Sequence, residues 1–285
     1  MRLGGGINAI KQSPSFTVID AGNAIGAVSA GYAVDVCIER ATVYGMHTVF
    51  ARHCNTFGPA FYYVEKIAKQ GMIGFVCSNA PAAMPAFNGL EPMLGTNPMA
   101  FACPSKTQSI VVLDMATSIV AKSKFEMARI KGEQLPEGWA LDKDGHPTTD
   151  PVEAIKGFVL PMAGFKGYGI AMAIDLLAGF LSGASFLNRV NKFYSQNDKG
   201  MDVGQMFMAI NPAMVYDGDF LEDMDEYIIN LRTSRVVEGK TIALPGDDRI
   251  LKREVALAQG IELADDTVAK LESLFGESLR EEVRL

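Results

Sequence analysis

The 285-residue sequence has no C-x-x-C pair, only three histidines and no excess of positive charge. Each shortage removes a class of chemistry. Cys37, Cys54, Cys77 and Cys103 are widely separated and lack a matching histidine spacing, which argues against a structural zinc site, and no metal is expected. Reduced thiols suit the cytoplasm, where disulfides are rare. The net charge of −7 argues against nucleic acid, whose binders present a basic face, although a local basic pocket for a small anion stays open. MRLGGGINAIKQSP at the start contains no apolar run of signal-peptide length. A membrane span is not expected either. The most apolar stretch, Ile170 to Ala184, is shorter than the ~20 residues that cross a hydrocarbon core, and Asp175 within it would cost a lipid-facing helix about 2.5–3.5 kcal/mol.

What is present is ordinary globular material: 48% hydrophobic and 21% charged residues, close to the roughly 45–50% and 25% of soluble domains. No repeat, heptad run, low-complexity tract or linker divides the chain, so residues 1–285 read as a single unit. Apolar residues at helical spacing (Ile25, Val28, Tyr32, Val36) predict a helix over 23–44 with Asn23 as a possible cap, and MHTVFARH from Met46 predicts the strand after it. The alternation continues with a helix over 58–70, strands in GMIGFVCSN and SIVVLDMATS, and a helix in SIVAKSKFEMARIKG. Residues 136–151 (PEGWALDKDGHPTTDP) are rich in turn formers and predict an ordered surface loop. Further on come a helix that includes 170–184, a strand in GQMFMAIN, a helix in DGDFLEDMDEYIINL and a terminal helix pair broken near Gly260. Helices alternating with strands imply an α/β plan, a sheet covered by helices.

Two common nucleotide cradles are missing. No G-x-G-x-x-G follows a strand: GFKGYG comes after Pro161, and the glycines at 4–6 precede no βαβ unit, so the fold is not Rossmann. Lys166 lacks the glycine-rich run and the Ser or Thr of a P-loop. It does stand among Gly164, Gly167 and Gly169, a flexible approach to a helix whose first N–H groups can meet an anion. An ordinary solvated lysine at a helix start is the competing reading. Asp114 and Ser118, in VVLDMATS, could equally cap the next helix.

FARHCNTFGPAFYY (50–63), LGTNPMAFACP (94–104), VVLDMATS (111–118), LPEGWALDKDGHPTTDP (135–151), LPMAGFKGYGIAMAIDLLAGFLSGA (160–184) and ALPGDDR (243–249) occur in the order and phrasing of one family. From residue 1 to about 270 the chain resembles the malate/L-lactate dehydrogenase family, which includes ureidoglycolate, sulfolactate and diketogulonate enzymes. The resemblance implies a non-Rossmann helix-covered sheet, a homodimer, and NAD- or NADP-dependent interconversion of a small 2-hydroxy acid and its 2-oxo acid. By motif match, the cofactor would meet Thr56, Phe57, Gly58, the run Asp114, Met115, Ala116, Thr117, Ser118, then Lys166 with Gly167, and Gly246 with Asp247. Thr96, in GTNP, would hydrogen-bond the substrate.

The chemistry also needs a group that moves the hydroxyl proton, most naturally a histidine, and a cation for the carboxylate. In the family these come largely from an N-terminal helical segment with a Ser-His-Gly motif and a following arginine. No such motif occurs here, and RLGGGINA resembles the stretch just beyond that segment, so the segment is expected to be missing and the apolar surface it would cover to be exposed. Where members read Ser-Asn-His-Phe-Gly, this chain has Cys54-Asn55-Thr56-Phe57-Gly58. Thr56 cannot be a general acid near pH 7, which leaves His53 as the tentative catalytic residue if its loop turns inward; His47 and His146 have poorer claims. A Cys54–His53 nucleophile is disfavoured because neighbours on an extended chain point apart. Three readings stand: a dehydrogenase, a truncated or non-catalytic homologue that keeps dinucleotide binding, and a structural partner subunit.

Overall fold

A strand covered on both faces reads as an almost continuous apolar run, and VGQMFMAI does so at Val203–Ile210, the middle strand of a seven-stranded sheet. The computed structural model describes residues 6–192, 200–263 and 265–276, so Gly4 and Gly5 of the glycine run lie outside the described residues. The strands are β1 (Asn8–Gln12), β2 (Phe16–Asp20), β3 (Met46–Cys54), β4 (Ile73–Ser78), β5 (Met84–Pro85), β6 (Pro92–Leu94), β7 (Met99–Cys103), β8 (Val111–Met115), β9 (Ala140–Leu141), β10 (Pro147–Thr148), β11 (Phe158–Val159) and β12 (Val203–Ile210). The helices are α1 (Gly26–Tyr44), α2 (Phe61–Ala68), α3 (Ser123–Lys131), α4 (Pro151–Lys156), α5 (Phe165–Ile174), α6 (Phe220–Arg232), α7 (Asp247–Gln259) and α8 (Asp265–Phe275). A π-helical turn, Asp175–Phe180, continues α5.

The large sheet runs β1-β2-β3-β12-β4-β7-β8. Only β2 and β3 pair in parallel, joined across α1; the other neighbours are antiparallel. The expected helix-covered α/β sheet is present. On one face Ala30, Ala33, Val34, Cys37 and Ala41 of α1, with Val64 and Ile67 of α2, pack on Val49, Ala51 and Phe207. On the other, Ile174 and Ala178 pack on Cys77 and Met206.

α1 departs from the sequence expectation in the face it buries. Small residues let its axis lie close to the sheet, while Ile25, Val28 and Tyr32 are turned outward and Val36 is only partly buried. It begins at Gly26 with no side-chain cap. Asn23 instead accepts from the Asn55 side chain at 2.8 Å. The stretch 136–151 also gains order: β9 pairs with both β10 and β11 in a three-stranded sheet. Leu135 and Ala140 bury beside Phe125.

By its contacts the chain divides into Met1–Ser234 and Arg235–Leu285. In the second unit α7 and α8 are separated at Gly260 (φ 80°), where the sequence places the break. No helix among the described residues is long and apolar enough to cross a membrane.

Candidate active site

The register brings several chain segments to one end of the large sheet. Cys54, at the end of β3, pairs with Val203 at the start of β12; Ser78, at the end of β4, pairs with Gln205; Met99, at the start of β7, pairs with Cys77 and with Met115, at the end of β8. A cavity of about 220 Å³ opens there, walled by Thr56, Phe57 and Gly58 after β3, by Ser78, Asn79, Ala80 and Pro81 after β4, by Thr96 and Pro98 before β7, and by Met201 and Val203. Three expected cofactor residues and the expected substrate residue therefore share one wall. The volume is below the roughly 300–1,000 Å³ of pockets for drug-sized ligands, as suits a small acid.

Three buried asparagines shape that wall, and none of them stands out in the sequence. Asn55 donates to the carbonyls of Asn23 and Ala24 at 3.2 and 2.8 Å and accepts from Met201 N at 3.2 Å. Gln205 Nε2, also buried, donates to Asn55 O at 2.9 Å. Asn79 donates to Asp175 and Ser185 O and accepts from Gly204 N at 2.9 Å. Asn97 accepts from Ala80 N at 3.1 Å and donates to Ala171 O at 2.8 Å. Asparagine is mostly exposed in proteins and costs about 1–3 kcal/mol when buried without partners, so three satisfied ones around a single cavity are the signal that sequence reading lacked. Glycine helps too: a Cβ on Gly26 would overlap the Thr56 carbonyl oxygen, so α1 can start flush against this loop only with glycine there. Tyr63 Oη donates to Phe57 O at 2.6 Å and holds the loop from the other side.

The run Asp114–Ser118 leaves β8 beside the cavity. Thr117 donates to Thr96 O through its amide at 2.9 Å and its hydroxyl at 3.0 Å. Asp114 does cap a helix, but an earlier one: Oδ2 accepts from Phe61 N, at the start of α2, at 3.0 Å. Ser118 donates to Val120 O at 2.8 Å and bridges to Pro161; α3 has no side-chain cap. Ile119 N donates to Leu160 O at 2.8 Å, which joins the run to the approach to α5. In that approach Ala163 and Gly164 both take positive φ (48° and 59°). Lys166 is exposed in the first turn of α5 and Gly167 is buried behind it. A Cβ on Gly167 would overlap the Met162 carbonyl oxygen, so this glycine is required by close packing. A second cavity, about 450 Å³, lies on the Ile119 side of the run, lined largely by apolar residues including Phe87, Leu160 and Pro161.

His53 (φ 51°) does not line either cavity. Its Nδ1 lies 2.9 Å from Asp20, and Nε2 is 4.0 Å from Asp202 Oδ1, a buried oxygen with no hydrogen-bond partner. Burial alone would raise the Asp20 carboxyl, but hydrogen bonds from His53 and the Gly22 amide, with Arg52 alongside, hold it below the usual value. His47 is fully buried. Nδ1 must donate to Pro14 O at 3.0 Å, so Nε2 accepts from Thr17 Oγ1 at 3.0 Å. His146 is exposed beside Asp142. Cys54 is buried and its thiol is pushed up, by burial first and then by Asp202 and Asp20, so it has no thiolate to offer. Gly246 (φ 103°) starts α7 in the second unit, where Asp247 accepts from Leu244 N at 2.8 Å.

Comparison with known proteins matches this arrangement to a family. The profile described as malate/L-lactate dehydrogenase matches residues 2–272. The chain is 34% identical to the malate/(S)-sulfolactate dehydrogenase of Methanothermus fervidus over 97% of its own length and 80% of that protein. It is 35% identical to the ureidoglycolate dehydrogenase (NAD(+)) of Escherichia coli O157:H7, over 90% of this chain and 73% of that one. The solved sulfolactate dehydrogenase from Methanocaldococcus jannaschii superposes with a TM-score of 0.86 at 35% identity, covering 95% of this chain and 78% of that one.

Proposed function

The chain belongs to the malate/L-lactate dehydrogenase family, and from that premise we propose that the 220 Å³ cavity is where a small 2-oxo or 2-hydroxy acid meets the nicotinamide ring. The chain is an NAD(P)-dependent oxidoreductase that interconverts such a pair of acids. The observation that supports placing the reaction here is the convergence of Thr56, Phe57, Gly58 and Thr96, far apart in sequence, on one small wall.

When bound, the nicotinamide supplies the hydride acceptor for the hydroxy acid or the hydride donor for the oxo acid. The protein's part is to bind and orient. Gly58 (φ 80°) leaves open space where a side chain would stand, which lets a flat ring approach the loop. Ser78 already donates to Asn79 O at 2.8 Å, so towards a ligand its oxygen can only accept. The Thr56 and Thr96 hydroxyls are the wall's candidate donors to the acid. The described wall carries no charge and no group that titrates near neutrality. Asp114 to Ser118 leads from the small cavity towards the larger one, which Ile119, Leu160 and Gly164 line, and Lys166 stands exposed in the turn of α5 that follows Gly164. This fits an anionic pyrophosphate beside Lys166, with the dinucleotide's second base in the 450 Å³ apolar cavity. Gly167 serves the site by letting the first turn of α5, which bears Lys166, pack close against Met162, and Gly246 and Asp247 enter the reading by motif match alone.

His53 is a candidate for the proton step on one count, the Asp20 carboxylate that orients Nδ1 as a histidine base requires. His53→Gln decides it: a fall in kcat of about 100-fold or more, the usual worth of general acid–base catalysis, keeps the assignment, and an unchanged kcat removes it. The working form in this reading is a homodimer, as the family resemblance implies, in the cytoplasm, where its four buried free thiols stay reduced; light scattering tests the dimer. The test of the whole reading is fluorescence titration with NADH and NADPH, then turnover with pyruvate, oxaloacetate and related 2-oxo acids. Binding of one dinucleotide with turnover supports it and fixes the cofactor; absence of binding by both overturns it.

A further inference from the structure

The cavity wall is not held by its own strands alone. Asn79 and Asn97 both reach back to the single helical element behind the sheet: Asn97 to Ala171 O of α5, and Asn79 to the carboxylate of Asp175, where α5 passes into the π-helical turn. The two attachment points are four residues apart, about one turn. The same helix carries Lys166 in its first turn, so it is a rigid link between the exposed lysine and the cavity.

Asp175 is a costly residue to place there. It is 4% exposed, and no lysine, arginine or histidine among the described residues pairs with it. Among the described residues its oxygens accept from two donors: Oδ1 from Asn79 Nδ2 at 3.1 Å and from Leu187 N at 3.4 Å, and Oδ2 from Leu187 N at 3.1 Å. Burial raises its carboxyl above the usual value, with Asn79 and the Leu187 amide acting the other way. An uncharged residue would fill this apolar junction at less cost, so the carboxylate's use must lie in what it holds. It holds Asn79 in one orientation. With Nδ2 bound to Asp175 and to Ser185 O at 2.8 Å, Oδ1 is aimed at Gly204 N. The turn is shaped for the purpose: a Cβ on Gly179 would overlap Asn79 Nδ2, and one on Gly204 would overlap Ala178 O.

We propose that Asp175 is a positioning residue for the substrate cavity: acting through Asn79, it fixes the Ser78–Ala80 edge against β12 and registers that edge with the helix that carries Lys166. The use of the cavity rests on the function proposed above; the mechanical link does not. Replacing Asp175 by Leu removes both oxygens, so Asn79 Nδ2 keeps only Ser185 O and loses its fixed orientation.

The experiment has two readouts on Asp175→Leu, Asn79→Ala and the double variant, each first shown to melt cooperatively. Amide hydrogen exchange follows Gly204, whose N–H is bound by Asn79 and not by Asp175. Asp175→Leu is expected to speed its exchange at least tenfold, and protection at the wild-type level would overturn the proposal. With saturating dinucleotide, Asp175→Leu is expected to raise KM for the 2-oxo acid about tenfold while kcat stays within about threefold. Asn79→Ala should mimic it, and the double variant should be no worse than Asn79→Ala alone, since coupled residues are not additive. Additive effects, or an unchanged KM in folded Asp175→Leu, would overturn it. If Asp175→Leu does not fold, the same readouts on Asp175→Glu decide, with partial recovery of KM and Gly204 protection relative to Asn79→Ala expected and none refuting. A wild-type chain that turns over no 2-oxo acid counts against the proposed function, and the exchange readout then settles the link by itself.

Discussion

Gly167 and Gly169 sit two residues apart in α5, yet the structure makes opposite demands on them. A Cβ at 167 would overlap the Met162 carbonyl oxygen and stand 2.9 Å from both Met162 N and Cγ, whereas a Cβ at 169 meets nothing within 4 Å. Alanine in place of a helical glycine gains about 0.5–1 kcal/mol at either position from backbone entropy. The clash applies to 167 alone, and forcing an extra carbon into a packed site costs typically about 1–3 kcal/mol. Because the helix term is shared, the difference between Gly167→Ala and Gly169→Ala isolates the contact. With a urea slope near the upper end of the small-protein range, about 3 kcal/mol/M, Gly169→Ala should raise the midpoint by roughly 0.2–0.3 M, and Gly167→Ala should fall about 0.3–1 M below it. Equilibrium urea unfolding followed by circular dichroism measures both. Equal midpoints would refute the close approach of α5 to Met162. NADH titration adds the functional half: Gly167→Ala displaces the turn bearing Lys166 and should weaken binding, while Gly169→Ala should leave it unchanged.

Asp114→Ala removes the carboxylate that receives Phe61 N and should cost about 1 kcal/mol, the usual worth of a helix cap, with Asp114→Asn close to wild type; urea midpoints check it, and an equal loss in both variants would show that charge matters more than capping. Thr96→Val should raise KM for the 2-oxo acid with little change in dinucleotide affinity, since only its hydroxyl is lost, and parallel weakening of both would move Thr96 out of the substrate's reach. His47 is held neutral, its folded value lowered by burial first and by Arg40, against the Pro14 hydrogen bond. The unfolded chain therefore binds more protons as pH drops below the ordinary histidine value of about 6.5, and stability must fall from there downward; His47→Gln should flatten that part of a stability–pH curve, and an unchanged slope would place the sensitivity elsewhere. Burial pushes Cys77 up to about 12 and Cys103 up to about 11, and all four thiols are buried. A thiol reagent at pH 8 should label the native chain slowly and the urea-unfolded chain fully, and rapid adduct formation at Cys54 would reopen the nucleophile reading.

How much of this was written in the sequence depends on whether a feature is local. The strand in GQMFMAIN is legible because a strand that turns out to be covered on both faces leaves a nearly continuous apolar run. The break at Gly260 is equally local, since a positive φ asks for glycine. α1 shows where local pattern fails. Ile25, Val28, Tyr32 and Val36 have helical spacing and fix the element correctly, yet the face on the sheet is Ala30, Ala33, Val34, Cys37 and Ala41, because close packing against a sheet favours small side chains, while hydropathy weights large ones. Asp114 was recognisable as a capping residue, but its partner lies 53 positions back in the chain, and no local rule selects α2 over the next helix along.

The site divides along the same line. Thr56, Phe57, Gly58 and Thr96 are legible through motif resemblance, and the register of β3, β4, β7 and β12 is what makes them neighbours. Asn55, Asn79 and Asn97 escape notice because each sits in a short string, CNTF, SNAP or TNPM, that reads equally well as an exposed turn. Only tertiary burial turns such an asparagine from a turn former into a bracket whose amide nitrogen and oxygen are both engaged. Asp175 is the extreme case: its sequence surroundings suggest a polar interruption in a core helix, which is correct as far as it goes. The helix it interrupts carries Lys166 at one end and grips the cavity wall at the other. A single carboxylate at the junction can matter to both ends because the backbone between them is one continuous hydrogen-bonded rod.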